Sequence, residues 1–447
     1  MKRQRVLLGS AAAGLAASVL LLGGAFSGSP AIDRLAADAR AAASSSSDQD
    51  SLARLLAGFS TGDTAAYVRR LEHRVALDPK DGDALTLLGL AYQQRARETG
   101  DPTFYGLSDR ALRRAAAAGG PRPLVVQGQA SLANTRHRFA QGLALARRAV
   151  RLDPNNGSAY GALGDALLNL GRYGPAFSAY DRMALLSPGI ASYTRVASAR
   201  ELIGRPRAAA EADALAPQAD RTPVPEHVAW TFVQLGNVYF NTGRLGAAAS
   251  AYRAALKRLP GYVHAEAGLA RVEAARGDYA QAAARLRHVV AVLPIPAYVI
   301  LLGDVLHVSG HEAEARRDYG LVSAIERLFR ANGVRTELQT ALFDLDHNRN
   351  VADALTRARI AYRSAPSIYA EDALAWGLFK TGSCAVARAH SAHALRLGTR
   401  DALLYFHRAM IERCLGSASA PWWFHRALAI NPHFSILWAP VARRALR

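Results

Sequence analysis

Residues 229–260 read AWTFVQLGNVYFNTGRLGAAASAYRAALKRLP, and residues 157–188 read GSAYGALGDALLNLGRYGPAFSAYDRMALLSP. Laid over one another, Phe232 falls on Tyr160, Leu235-Gly236 on Leu163-Gly164 and Tyr239 on Leu167. Gly243 then falls on Gly171, Ala248 on Ala176, Tyr252 on Tyr180, Ala255 on Met183 and Pro260 on Pro188. The apolar positions recur every three or four residues on either side of the glycine, which is the period of a helix face. Each segment therefore reads as two helices, A and B, joined at the glycine. The large residue near the start and the Leu-Gly pair let helix A pack closely on helix B. The small alanine permits a close crossing, and the proline stops helix B.

The register continues in both directions. Downstream, one copy begins at Val263 (Leu269-Ala270, Gly277, Ala282, Leu286, Val289, Pro294) and another at Pro296 (Leu302-Gly303, Gly310, Ala315, Tyr319). Looser copies follow from Arg335 (Leu338, Ala354, Ala361, Pro366), Ile368 (Leu374-Ala375, Gly382, Ala387) and Ala402 (Tyr405, Ala409, Gly416, Pro432). Upstream, Leu88-Gly89 and Tyr92 open a copy whose second helix is delayed by an insertion around Glu98 to Leu107, with Pro154 and Pro79 closing neighbouring copies. This set of positions, repeating at about 34 residues, resembles the tetratricopeptide repeat (TPR). The resemblance implies an all-α fold, an α-solenoid of stacked antiparallel helix pairs, here with an N-terminal apolar helix in front of it. It covers the chain from about Leu52 onward. A poor copy at Ile190 to Glu226 and the prolines Pro217, Pro223 and Pro225 divide a first block, 52–215, from a second, 227–447, with 216–226 as a break. In the last copy Trp422-Trp423 stand where the small alanine belongs, so the geometry there departs from the pattern.

The first residues follow a different logic. Lys2, Arg3 and Arg5 precede an uncharged apolar stretch from Val6 to Phe26, the pattern of an export signal or an uncleaved anchor (1–27). Gly-, Ser- and Ala-rich residues 28–51 read as a tether. The body of the chain is thereby expected outside the cytoplasm, secreted or held at the cytoplasmic membrane.

Among 447 residues the formal net charge is +19, and Lys2, Lys80, Lys257 and Lys380 are the only lysines. Arginines scattered along helix faces, without a basic run flanked by stacking aromatics, argue against a nucleic-acid interface. They leave an anionic envelope polymer or lipid surface as an alternative partner. The chain has no phosphate loop, H-E-x-x-H or G-x-S-x-G. Residues 344–350 (DLDHNRN) begin like a calcium loop but place Arg349 at the turning glycine and Leu355 where a bidentate Glu belongs, so a helix end and cap is the better reading. His390 and His393 are one helical turn apart without an evident third ligand. No cofactor, metal or catalytic site is expected, and an enzyme with a site assembled across repeats is the least favoured class.

What the resemblance does imply is a concave groove lined by helix A, at about positions 2, 5, 9 and 12 to 13 of each repeat. On this chain those positions hold Asp165, Asn169, Trp230, Asn237, Asn241, Arg271, Asp304 and His307, with Phe343, Tyr369, Trp376 and Phe379 in the later copies. Amides, charges and rings suit an extended protein or peptide segment. Val233 stands where some family members use a lysine to grip a C-terminal carboxylate, which disfavours that partner type. The expected function is an extracytoplasmic scaffold or adaptor, with a glycan or acidic-polymer binder as the alternative. The cysteines Cys384 and Cys414 fall at the start of a helix B and the end of the following helix A, adjacent positions in such a stack, so a disulfide in an oxidising compartment and a pair of small buried free thiols are both open.

Overall fold

The computed structural model describes residues 62–219 and 224–447. The expected signal or anchor and tether (1–27 and 28–51), and the point where folded structure begins, lie outside the described residues. Within them there are 22 helices and no strand. A single helix, Thr64–Leu77, is followed by ten A/B pairs, from Gly82–Thr99 with Thr103–Ala117 to Ala402–Cys414 with Ala420–Ile430, and Trp438–Arg444 closes the stack.

Local chemistry sets the helix ends. Asp81, Asn156 and Ser367 accept the N–H of Ala84, Ala159 and Ala370 at the starts of three A helices. The A-to-B turns need a left-handed residue, supplied by Gly171 (φ 70°) and Gly243 (φ 75°) in the two best copies. Two copies lack that glycine, and there His137 (φ 56°) and Asn348 (φ 51°) take the same conformation. The calcium-like stretch is thus a helix end and a turn, with Asp344 paired to Arg357 at 2.5 Å.

The repeated Gly and Tyr explain each other. A Cβ on Gly164, Gly236 or Gly303 would lie 2.4 Å from the ring of Tyr180, Tyr252 or Tyr319, respectively. Glycine on helix A therefore makes room for a buried helix B tyrosine. The tyrosine hydroxyl then donates back to helix A: Tyr180 to Asp165 at 2.9 Å, Tyr252 to Asn237 at 2.8 Å and Tyr319 to Asp304 at 2.7 Å. A buried hydroxyl without an acceptor is costly, so ring and polar partner form one unit.

Three irregularities are smaller than the sequence suggests. The insertion after Tyr92 is absorbed by lengthening helix A to Thr99, and helix B starts at Thr103. The poor copy is a regular pair, Ile190–Leu202 with Pro206–Ala219. Its last helix continues the stack, because Ala216 packs with Ile190 and with Val228 of the next helix A, Pro225–Asn241. At the C-terminus Trp422 is exposed, while Ala420 and Ala427 supply the small buried residues that the pattern lacks at Trp423.

The superhelix is wound tightly enough that one turn stacks on the next. The Ile368 N–H donates to the Tyr173 hydroxyl at 2.7 Å, the Arg335 N–H to the Arg136 carbonyl at 3.1 Å, and Asn431 Nδ2 to the Phe240 carbonyl at 2.9 Å. Gly171 lies against the Pro366 carbonyl and Gly204 against that of Gly398, with no space for a side chain. In each case an A-to-B turn meets a B-to-A turn nearly 200 residues later. A further tie is Arg97, whose guanidinium donates twice to Glu226 at 3.0 and 2.9 Å. Burial alone would raise the Glu226 carboxyl, but Arg97, His227 and Tyr262 together bring it down to about 2.

Candidate functional site

Closure of one turn on the next converts part of the concave face into a cavity of about 150 Å³. One wall comes from the inner faces of Ile190–Leu202, Pro225–Asn241, Val263–Arg276 and Pro296–Val308; the other comes from Tyr369, Thr399 to Leu403 and Asn431 to Ile436. Five of the residues placed in the groove by sequence meet here: Asn237, Asn241, Arg271, Asp304 and Tyr369. Asn169 and Tyr369 also line a smaller cavity of about 50 Å³, with His137, Tyr173 and Arg335.

The polar groups are held from behind. Asn241 Nδ2 donates to Glu201 Oε1 at 2.9 Å, and Asn237 Oδ1 receives the Tyr252 hydroxyl. The Arg271 guanidinium lies over the Phe240 ring at 3.8 Å, and its burial lowers its pKa. Burial raises the Glu201 and Asp401 carboxyls and lifts Asp213 well above the usual range, where Glu201 adds to the effect.

The remaining expected groove residues are committed elsewhere. Asp165 receives Arg195 at 2.9 and 2.8 Å as well as Tyr180, so it joins two repeats. Trp230, Phe343 and Trp376 do not line an open groove; they are 6%, 3% and 0% exposed. The physical reason is that rings on helix A find apolar contact against rings of the same helix or of the next helix A. Trp230 sits edge-on to His264 at 5.6 Å, Phe343 packs on His347 at 4.6 Å, and Trp376 stacks on His407 at 4.1 Å. Phe379 stacks on Trp376 at 4.8 Å. His307 pairs with Glu312 at 2.6 Å. Asp304 reaches the cavity wall fully buried, with His347 Nε2 at 2.8 Å from its Oδ1.

Most of the cavity lining was not anticipated from sequence, including the polar residues Glu201, Asp213, Gln234 and Asp401. Glu201 had a signal, since counting from Ile190 puts it at position 12 of its copy. Asp213 had none, because it lies on a B helix.

Cys384 and Cys414 are joined, with Cα atoms 6.3 Å apart. His390 and His393 both face the Glu371 carboxylate, which Arg396 also reaches at 3.2 Å. Among the described residues no group of three or more His, Cys, Asp or Glu is placed to hold a metal, and no helix is long and apolar enough to cross a membrane.

A family model described as tetratricopeptide repeat matches residues 231–260. No curated protein matches the chain. Among solved structures, a crystal structure of MamA is 20% identical and covers 36% of this chain and 92% of its own, with a TM-score of 0.29. The Cut9-Hcn1 hetero-tetramer of APC/C is 12% identical over 92% of this chain and 98% of its own, at 0.36. The human IFIT1 dimer with m7Gppp-AAAA is 12% identical over 85% and 89%, at 0.43. The matched repeat is the segment in which Gly236 makes room for Tyr252, and ten helix pairs extend the same architecture along the chain, an all-α solenoid that carries a tetratricopeptide repeat at residues 231–260.

Proposed function

We propose that the chain is an extracytoplasmic, non-catalytic scaffold or adaptor that holds a protein or peptide partner at the inner face of its superhelix. The observation that carries this reading is the convergence of Asn237, Asn241, Arg271 and Tyr369 on one cavity between the turns. TPR-type repeats generally serve protein–protein interaction, and amides beside rings are the groups that recognise a peptide. Closure narrows the mode: the partner presents one residue to the cavity rather than an extended strand along an open groove. The basic start followed by Val6 to Phe26, and the Cys384–Cys414 bridge, support a location outside the cytoplasm.

A photo-crosslinking residue at Arg400, which is exposed and lines the cavity, tests the reading in cells. A discrete protein or peptide adduct is expected there and not from the exposed Arg114 on a B helix. Equal labelling at both positions, or none at Arg400, sinks the groove reading. Location is tested by a reporter fused after Asp50; activity confined to the cytoplasm overturns it. An acidic polymer would instead use outward arginines such as Arg113, Arg147 and Arg148. Capture that collapses steeply with added salt would identify that partner.

A further inference from the structure

Four carboxylates line the cavity, Glu201, Asp213, Asp304 and Asp401, against Arg271, Arg400 and His433. Asp304 is already answered by His347, Arg400 is exposed at the rim, and burial with nearby Arg443 keeps the His433 imidazole toward its neutral form. Glu201, which accepts Asn241, and Asp401, which caps Ala402–Cys414 through the Leu403 N–H, share the one guanidinium of Arg271, and Asp213 adds a third carboxyl beside Glu201. Burying three carboxyl groups against a single cation is unfavourable unless they take up protons or a second cation joins them.

Asp213 is the sharpest sign. It is 2% exposed and lines the cavity, and its Oδ1 has no hydrogen-bond partner. It also breaks the small-residue stripe of its helix: Ala209, Ala212 and Ala216 are buried at helical spacing around it, and an alanine at 213 would complete the face. Donors are left over as well. Gln234 Nε2 is buried without an acceptor, and Arg271 is anchored by the Phe240 ring rather than by an ion pair within the described residues. Unused acceptors beside unused donors call for a ligand that brings both.

We propose that the cavity binds a basic amino-acid unit. Its guanidinium or ammonium is received by Glu201, Asp213 and Asp401, and its carboxylate or carbonyl by Arg271 and Gln234. The volume, about 150 Å³, is below the roughly 300 to 1,000 Å³ of sites for drug-sized ligands, and so admits one such unit. Burial holds the Asp213 carboxyl well above the usual range, so an arriving cation favours its ionised form and displaces its proton. The inference rests on the reading of the inner face as the binding surface and names what that surface selects.

Calorimetry on the full chain at pH 7 tests it with four probes: free arginine, its uncharged isostere citrulline, agmatine, and the peptide Gly-Ala-Arg-Ala-Gly. Arginine is expected to bind at least tenfold more tightly than citrulline, with agmatine between them. The heat should change between buffers of different ionisation enthalpy, as proton release requires. Asp213→Asn, or Glu201→Gln should the first variant not fold, is expected to weaken arginine at least tenfold without lowering the melting temperature. Binding of arginine but not of the peptide assigns the site to a free small molecule and removes the peptide partner while the inference stands. Binding of the peptide supports both. Equal binding of arginine and citrulline, no heat from any probe, or full affinity in both variants overturns the inference; an adduct at Arg400 in that case leaves the partner reading intact.

Discussion

Ile368 donates its backbone N–H to the hydroxyl of Tyr173 at 2.7 Å across 195 residues of chain, and both residues are buried. The Tyr173 ring is covered in turn by the Arg396 guanidinium at 5.3 Å. Tyr173→Phe keeps the ring and leaves the Ile368 N–H without an acceptor, at a cost of about 1–3 kcal/mol. Urea denaturation reads this directly. A loss below about 0.5 kcal/mol would mean that the two turns are not closed on each other in solution.

The Cys384–Cys414 bridge closes a sequence separation of 30 residues and joins two adjacent repeats near the C-terminal end of the stack. By restricting the unfolded chain, a loop of this size contributes about 3–4 kcal/mol. Reduction, or the double change to serine, should lower the melting temperature, with the first loss of helix protection over 384–430. Hydrogen exchange that stays uniform along the chain after reduction would contradict this.

Gly236 and Gly246 separate packing from backbone freedom. An added methyl at Gly236 meets the Tyr252 ring at 2.4 Å, whereas at Gly246 nothing lies within 4 Å. Gly236→Ala should cost about 1–3 kcal/mol through overpacking. Gly246→Ala, in the first turn of Leu245–Arg258, should be neutral or gain up to about 0.5 kcal/mol. Thermal melts that rank the two variants the other way would refute the assigned contact.

Asp346 is fully buried, accepts the Trp376 Nε1–H at 2.9 Å, and is pushed up to about 7 by burial despite nearby His407, His347 and Lys380. Its unfolded value is about 4. Below about pH 4 both states are protonated; between about 4 and 7 the unfolded chain ionises first, so this residue makes stability fall as pH rises through that window. Asp346→Asn keeps an acceptor for Trp376 and carries no charge. Relative to the parent it should gain on the order of 1–3 kcal/mol between pH 4 and pH 8. Parallel urea-midpoint profiles for the two proteins would rule out the shift.

The helix pairs were legible because a few side chains leave little alternative. Leu235-Gly236, Gly243, Ala248 and Tyr252 specify a close crossing and a turn using contacts within one repeat. The same local logic sees only a poor copy from Ile190 on, yet Ile190–Leu202 and Pro206–Ala219 form a regular pair, because buried Ala209, Ala212 and Ala216 supply the packing that the missing consensus residues would. Part of the site was legible for a related reason: Asn237, Asn241 and Arg271 face inward by their place in the repeat. Asp401 and Asn431 were not, because they reach the cavity only through the accumulated rotation of several repeats. No single segment encodes that angle. Trp376 and Phe343 show the converse error, an inward position taken for an accessible one.

The stacking of turns changes how this solenoid must fold. An open array adds units one at a time, each contacting only its neighbours, so its ends fray and its length can be trimmed. Here the joints between Arg136 and Arg335, Tyr173 and Ile368, and Phe240 and Asn431 span nearly 200 residues, so a few contacts of long sequence separation are added to the local helix pairs. The first turn emerges from the ribosome with these joints still unmade and its inner wall open to water. Folding should therefore end in a slow, single locking step, and a chain cut near Gly333 should form helices without that step.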